Sequence, residues 1–453
     1  MEFSDVNPLA LAGIVLMIGG SLLMAGGLLN MTDESVEGHE VWDCSFEDDD
    51  TCVRTNITEY ESCEQDGDHS EDYCRTTSSG IEDVTLFTDE GNYVTSDLTE
   101  EDYELEVYEI GHNVAWDAEI LDDGRVIYTE MEGDIVMHDG DQELERAELE
   151  GTERIGNSGL LGLTVDPDFD DNNHIYLFYY ADDREIDEDI DEEVADPIYN
   201  QVSRFEFSDG ELSDEKVLID DIEANRAHSG GRLDIGPDGY LYTTTGEGEY
   251  AKTDNQDLHE RVQDLDFLGG KVLRTDLEGE PAEDNPFDDS PVYAYGLRNP
   301  QGIDFHPETG EAFVSMHGPW RHDEVNVIES GENYGWPGEK CGKDYQDVDV
   351  EDTVDPLHCF DEWTLAPSGT TFVDDPDHEW YNSYFVTGLR GSIVYRIMTD
   401  DSGEKTGSEV FYLKDELDYS EVNNRLRNIE FHDGSLYLFG DGHGAAKITP
   451  EEN

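Results

Sequence analysis

A chain of 453 residues that sets 114 Asp and Glu against 25 Lys and Arg carries a formal net charge of −89. Such a charge excludes nucleic acid and an anionic membrane surface as partners, since both repel it. A hydrophobic fraction of 36% is low, yet 23 Tyr, 17 Phe and 6 Trp supply the aromatic content that unfolded chains lack, so a folded core is expected.

The acids run through the whole sequence and do not form a tail. This distribution suits molar salt of the haloarchaeal kind, where the Debye length is about 3 Å and self-repulsion is screened. Lowering the salt should therefore unfold the protein.

From the N-terminus, Pro8–Leu29 form an apolar run of 22 residues without a charge. Roughly 20 such residues cross a bilayer, so residues 1–30 are expected to be a membrane anchor. A cleaved signal peptide is the rival, but its start would be basic and its apolar core shorter. Here the chain opens Met1-Glu2-Phe3-Ser4-Asp5. Residues 31–105 are acidic and poor in apolar periodicity, and read as a stalk. Four of the six cysteines lie there (Cys44, Cys52, Cys63, Cys74), and Cys341 and Cys359 flank a later loop. None forms a C-x-x-C pair. An even count beyond a membrane segment points to disulfides in an oxidising compartment, with free thiols as the alternative. The sequons at Asn30 and Asn56 agree with an external location.

From about residue 106 to 453, short β-rich runs alternate with turns. Leu121-Asp122-Asp123-Gly124 leads into Arg125–Glu130, and Asp166-Pro167-Asp168-Phe169 into Ile175–Tyr180. Gly236-Pro237-Asp238-Gly239 leads into Tyr240–Gly246, and His306-Pro307-Glu308-Thr309-Gly310 into Ala312–Ser315. Asp377-His378-Glu379 precedes Tyr384–Gly388, and His432-Asp433-Gly434 leads into Leu436–Gly440. Each copy joins a tight turn to a β-branched or aromatic strand. Six copies predict an all-β fold, a six-bladed β-propeller that closes on itself and hides its sheet edges. A large β-sandwich with chance turn similarity is the alternative.

Four stretches carry chemistry. Ala227-His228-Ser229-Gly230-Gly231-Arg232 places an imidazole, able to take a proton near neutral pH, where backbone packs closely around a ligand. A structural loop histidine is the plainer reading of those residues alone. Arg298-Asn299-Pro300 forms a rigid polar loop between glycines. His317-Gly318-Pro319, Asp323-Glu324 and Asn333–Pro337 combine carboxylates with carbonyl-rich turns, which suit calcium. Finally, Arg390, Arg396, Arg425 and Arg427 gather in the last two repeats although Arg is scarce. Arg425 and Arg427, two apart on a strand, share a face. Either an anion sits between them or they pair with neighbouring carboxylates.

Taken in order, Gly159–Leu163 with Asp166–Phe169, His228–Leu233, Gly269–Arg274, Arg298–Gly302 and Glu324–Ile328 running to Asn333–Pro337 resemble the glucose/sorbosone dehydrogenase family. The likeness covers about 106–450 and is nearest to the soluble aldose sugar dehydrogenases, whose fold is a six-bladed propeller with PQQ in its mouth. The resemblance implies that His228 is the general base for the sugar's anomeric hydroxyl, with the C1 hydride passing to PQQ. It implies that Arg298 and Asn299 lie against the quinone, with Arg298 in the catalytic set. Gly318 and Pro319 would hold an active-site calcium through their carbonyls, a Lewis acid on the quinone. Arg390, Arg425 and Arg427 would bind the cofactor's carboxylates, which guanidinium forks suit. Glu324 and Tyr334 would form a second calcium site. Three departures follow: Arg390 stands where relatives carry Lys, Asn157 where a cofactor-contacting Gln is common, and Glu247 where some carry Asp.

The expected function is thus a PQQ- and calcium-dependent oxidation of an aldose sugar outside the membrane, with a quinone or small redox protein as electron acceptor. A non-catalytic extracellular binding propeller and a calcium-dependent lactone hydrolase are the alternatives. Retention of His228, Arg298, Arg425 and Arg427 speaks against the first, and the lactone hydrolase has no use for an Arg cluster.

Overall fold

The computed structural model describes five short strands within residues 39–96, the strand Tyr103–Glu109, and residues 114–450 apart from 141, 182–197, 225–226, 249–260, 320–321, 342, 345–349, 361–363, 391, 414–421 and 443. The expected anchor Pro8–Leu29 lies outside the described residues, as do the side chains of Cys44, Cys52, Cys63 and Cys74. Among the described residues no helix is long and apolar enough to cross a membrane.

The chain divides into two compact units, Met1–Asp83 and Val84–Asn453. In the first, His39–Ser45, Thr51–Asn56 and Thr76–Ser78 form a three-stranded sheet in which Cys44 stands opposite Cys52. The second contains six four-stranded antiparallel sheets, the blades of a propeller. Their innermost strands are Ala115–Ile120, Leu160–Val165, Gly230–Ile235, Asn299–Phe305, Pro367–Phe372 and Val422–His432. Each inner strand packs against the next, and the sixth packs against the first, so the ring is closed.

Every turn-strand repeat read from the sequence becomes the passage from a blade's first strand to its second. The second strands are Val126–Glu130, His174–Tyr180, Leu241–Thr245, Ala312–His317, Ser383–Gly388 and Ser435–Gly442. The turns need their residue types: Gly124 and Gly239 have φ of 84° and 79°, open to glycine without strain. The outermost strand of the sixth blade comes from the other end of the sequence, because Tyr103–Glu109 pairs with Gly444–Pro450.

The core lies between blades. Six apolar clusters fill the six blade interfaces; Leu177, Phe205 and Ile135 join the first two blades, and Phe439, Ala445 and Tyr128 join the sixth to the first. At the axis, buried Arg232 from the third blade ties three others together. Its guanidinium binds the Asp117 carboxylate and stacks 4.3 Å over Trp116, both in the first blade. It also donates to Gln301 O at 2.9 Å in the fourth, and to Arg427 O at 3.1 Å and Asn428 Oδ1 at 3.2 Å in the sixth. Cys341 and Cys359 form a disulfide with Cα atoms 5.9 Å apart, as their even count suggested.

Candidate active site

His228 precedes the inner strand of the third blade with φ of 56°, a left-handed conformation uncommon outside glycine. Such local strain persists only when the surroundings enforce it. Here His228 O accepts from Gly248 N at 3.0 Å, and Ser229 O accepts from Gly246 N at 3.0 Å. A Cβ at Gly246 would overlap the His228 carbonyl, so only glycine allows this approach. Gly230 N donates to Asn299 Oδ1 at 3.1 Å, joining the loop to the fourth blade.

The imidazole is mostly buried, and its Nδ1 lies 3.2 Å from Oε1 of the fully buried Glu247. Glu247 Oε2 accepts from the indole of Trp336, and Glu247 N donates to Arg298 O at 2.8 Å. Arg298 Nε lies 3.5 Å from Glu247 Oε1. One carboxylate thus fixes a histidine, an arginine and a tryptophan. A carboxylate facing Nδ1 holds the proton there and leaves Nε2 as the basic nitrogen. Below this group Lys271, wholly buried, donates to Val262 O at 2.7 Å and Gly269 O at 2.9 Å. Burial pushes its ammonium down to about 7.

Arg298 Nη1 reaches across to Gly318 O at 3.0 Å. Gly318 is set by Asp323, whose Oδ1 accepts from Gly318 N at 3.0 Å and whose Oδ2 accepts from Leu365 N and Ala366 N at 2.9 and 2.8 Å. Both oxygens of Asp323, which stands in the stretch read as suited to calcium, thus serve backbone donors. Burial raises the Asp323 carboxyl to about 6, against the lowering by those hydrogen bonds and by Arg298 and Arg390. Pro319 is buried and its carbonyl accepts from His322 N at 3.3 Å.

Arg425 and Arg427 meet on one carboxylate. Arg427 binds Asp441 through Nε at 2.5 Å and Nη2 at 3.0 Å, and Arg425 Nε lies 3.2 Å from Asp441 Oδ2. Asp441 is thus a shared acidic neighbour of the pair. Burial opposes ionisation of Asp441, but Arg427, assisted by Arg425, holds it below the usual carboxylate range.

Asn157 is exposed at a turn closed by Ile155 and Ser158. It reaches this neighbourhood through Ser158, whose hydroxyl is 2.5 Å from that of Ser229. Glu324 is wholly buried and accepts from Asn326 Nδ2 at 3.2 Å. The Tyr334 hydroxyl donates to Val327 O at 2.5 Å and accepts from Glu329 N at 2.8 Å, so its side chain serves the backbone.

Two participants had no role assigned from sequence. Glu247 was visible only as a substitution. His317 was visible only as the start of its motif; burial first, then the charges of His228, Arg298 and Arg425, hold it well below its usual pKa. Its Nε2 is buried with no hydrogen-bond partner. Guanidinium groups beside two imidazoles make a set suited to a polyvalent anion. Among the described residues no three His, Cys, Asp or Glu side chains converge on a metal position. A cation at the Gly318 carbonyl would share that oxygen with Arg298, and would draw its other oxygens from backbone and from the bound anion.

Three comparisons bear on this geometry. The sequence model of the glucose/sorbosone dehydrogenase family matches residues 112–448. Aldose sugar dehydrogenase YliI of Escherichia coli is 28% identical over 320 residues, or 65% of this chain and 78% of that protein. Quinoprotein glucose dehydrogenase B of Acinetobacter calcoaceticus is 34% identical over 206 residues, 42% of each chain. Among solved structures, the PQQ-bound form of aldose sugar dehydrogenase from Streptomyces coelicolor matches with a TM-score of 0.61 and 26% identity. That match covers 78% of this chain and 99% of the other.

Proposed function

Because the chain belongs to the glucose/sorbosone dehydrogenase family, we propose that it oxidises aldose sugars at C1 to lactones, with His228 as general base and PQQ and calcium as cofactors. The observation that carries this reading is the His228–Glu247 pair beside an arginine-lined mouth.

His228 Nε2 takes the proton of the anomeric hydroxyl. Glu247, 3.2 Å from Nδ1, stabilises the imidazolium that results. The alkoxide so formed releases hydride from C1, leaving a lactone. Bound in the mouth, PQQ supplies the two-electron acceptor, and calcium supplies Lewis-acid polarisation. Arg390, Arg425 and Arg427 would hold the cofactor's carboxylates, with Asp441 keeping the last two aligned. Arg298, Asn299 and His317 would line its ring, and Asn157 would reach it from the rim. The carbonyls of Gly318 and Pro319 would hold the calcium, and Glu324 and Tyr334 would mark a second, structural site. The N-terminal segment anchors the propeller on the outer face of the membrane in high salt. Electrons then leave to a quinone or a small redox protein.

The test is reconstitution of residues 31–453 in molar salt with PQQ and calcium, following dye reduction with a panel of aldoses. Sugar-dependent reduction that needs PQQ and disappears in His228→Ala supports the reading. A folded protein that binds no PQQ at micromolar concentration overturns it.

A further inference from the structure

The apolar clusters between blades hold each blade to its neighbours, and apolar packing is non-directional. A ring held only by its neighbouring contacts can become oval without opening any of them. Each inner strand packs against the next around the ring, so the third blade stands opposite the sixth and the first opposite the fourth. His228 belongs to the third blade and Arg427 to the sixth. An oval distortion would therefore change the separation of the base from the arginine across the mouth.

One side chain spans both diameters. Arg232 is 3% exposed, and every nitrogen of its guanidinium has a partner on another blade. Nε donates to Gln301 O at 2.9 Å in the fourth blade, and Nη2 to Arg427 O at 3.1 Å in the sixth. Nη1 donates to the Asp117 carboxylate in the first blade and to Asn428 Oδ1 at 3.2 Å in the sixth. A guanidinium is planar and rigid, so its covalent frame sets the separation of these acceptors. Two of them lie in segments of the site. Gln301 follows Asn299, whose Oδ1 accepts from Gly230 N at 3.1 Å, and Arg427 is the residue that binds Asp441. The Arg232 backbone N donates to Thr244 Oγ1 at 3.0 Å, and that hydroxyl donates to Pro300 O at 3.1 Å. His228 stands on the same segment as Arg232, four residues earlier. On the side away from His228, Arg232 borders a chamber lined by Asp117, Glu119, Asp234, Asp304 and Glu430, and Asp117 answers its charge.

We infer that Arg232 is a positioning residue for the proposed oxidation. It fixes the distance across the mouth from His228 to Arg427 and acts through the backbone of both segments. The inference rests on the reading of the mouth as a PQQ site. The Asp117 pair alone would serve stability. The bonds to Gln301 O and Arg427 O reach the segments that carry Asn299 and the cofactor's arginines. Hydride transfer depends on alignment, and a displacement of about 1 Å can cost about 10²-fold in rate. Losing the strut should therefore lower kcat and leave the KM for sugar unchanged.

The full chain is compared with Arg232→Lys and Arg274→Lys in molar KCl with calcium. Lysine keeps a charge beside Asp117 but brings one nitrogen in place of three. Arg274 is the control, an equally buried guanidinium of the third blade that pairs with Asp238 and Asp284. PQQ binding is read from quenching of tryptophan fluorescence, turnover is counted per bound PQQ, and melting is followed in parallel. In Arg232→Lys, PQQ affinity should fall about tenfold, as it does when a group that orients a ligand is lost. Turnover per bound PQQ should fall about 10- to 100-fold with the KM for sugar unchanged. In Arg274→Lys, Tm should fall while PQQ affinity and turnover stay at the wild-type values. Should Arg232→Lys fail to fold, Arg232→Gln/Asp117→Asn gives the same comparison without leaving a lone buried charge. A folded Arg232 variant with a lower Tm but wild-type PQQ affinity and turnover overturns the positioning role and leaves the dehydrogenase reading intact. Equal losses of turnover in Arg274→Lys also overturn it. A wild-type chain that binds no PQQ overturns the reading of the mouth and this inference together.

Discussion

The two ends of the propeller axis are built on the same six strands and carry opposite charge. His228 and Asp234 lie on one short segment, the first just before the inner strand of the third blade and the second near that strand's end. At the His228 end, Arg298, Arg425 and Arg427 gather, and each contacts a buried acid. At the other end acids face acids, with one arginine among them. The difference shows two ways of holding charge inside a propeller. The mouth sets three arginines on two carboxylates, Glu247 and Asp441, whose geometry keeps the guanidinium groups in place. At the other end Arg232 answers Asp117, and Asp234, Asp304 and Glu430 accept from neutral donors.

Several substitutions break or sharpen that contrast. His228→Ala should lower kcat by about 10²–10⁴-fold, the usual contribution of a positioned base, with Tm unchanged. Arg427→Gln leaves Asp441 buried with only Arg425 beside it. Losing one partner of a buried pair costs about 3–5 kcal/mol, so a clear fall in the denaturant midpoint is expected. The same change at the more exposed Arg425 should cost much less. Equal losses at both positions would mean that Asp441 does not organise the pair.

Glu247→Gln should lower kcat by about 10- to 100-fold, in the range typical of residues that orient a functional histidine. It should also move the acidic limb of the kcat/KM profile to lower pH, because the carboxylate that favours the imidazolium is gone. A loss in KM alone would assign Glu247 to packing.

The smallest effect is a pH trend. Glu119 is raised to about 8, so the folded state holds protons that the unfolded state releases. That stabilisation is complete below the ordinary carboxylate value and is lost as pH rises to about 8. In divalent-free buffer Tm should therefore fall over this range, and Glu119→Gln should flatten the fall. A Tm that rises over the same range would place the chamber's acids in their ordinary ionisation.

What could be read from sequence follows from how local each signal is. The six turn-strand units declare themselves within about a dozen residues, so the propeller was legible before any coordinates. The His228 and Arg298 loops were legible for the same reason, since each is a contiguous motif. Asp441 was not, because it becomes a partner only when two antiparallel strands of the sixth blade pair. Glu247 meets Trp336 across 89 positions, and nothing in either neighbourhood announces the other. The chamber was invisible for a statistical reason. Its acids come from four different blades, in a chain where 114 acids make any single one unremarked. Asp323 shows the converse: a carboxylate in a promising motif proved to be tied to backbone N–H groups.

The pairing of Tyr103–Glu109 with Gly444–Pro450 has a consequence for how this protein comes into being. During synthesis the earlier blades can assemble in order as the ribosome releases them. The ring itself stays open until the final strand emerges and finds a segment made at the outset. Closure is thus the most distant contact in the propeller and the last one available, which places it among the slow steps of a β-rich topology. Until that moment Tyr103–Glu109 and the outer edge of the sixth blade stay unpaired, and a chaperone or the crowding of nascent chains would meet the protein there first.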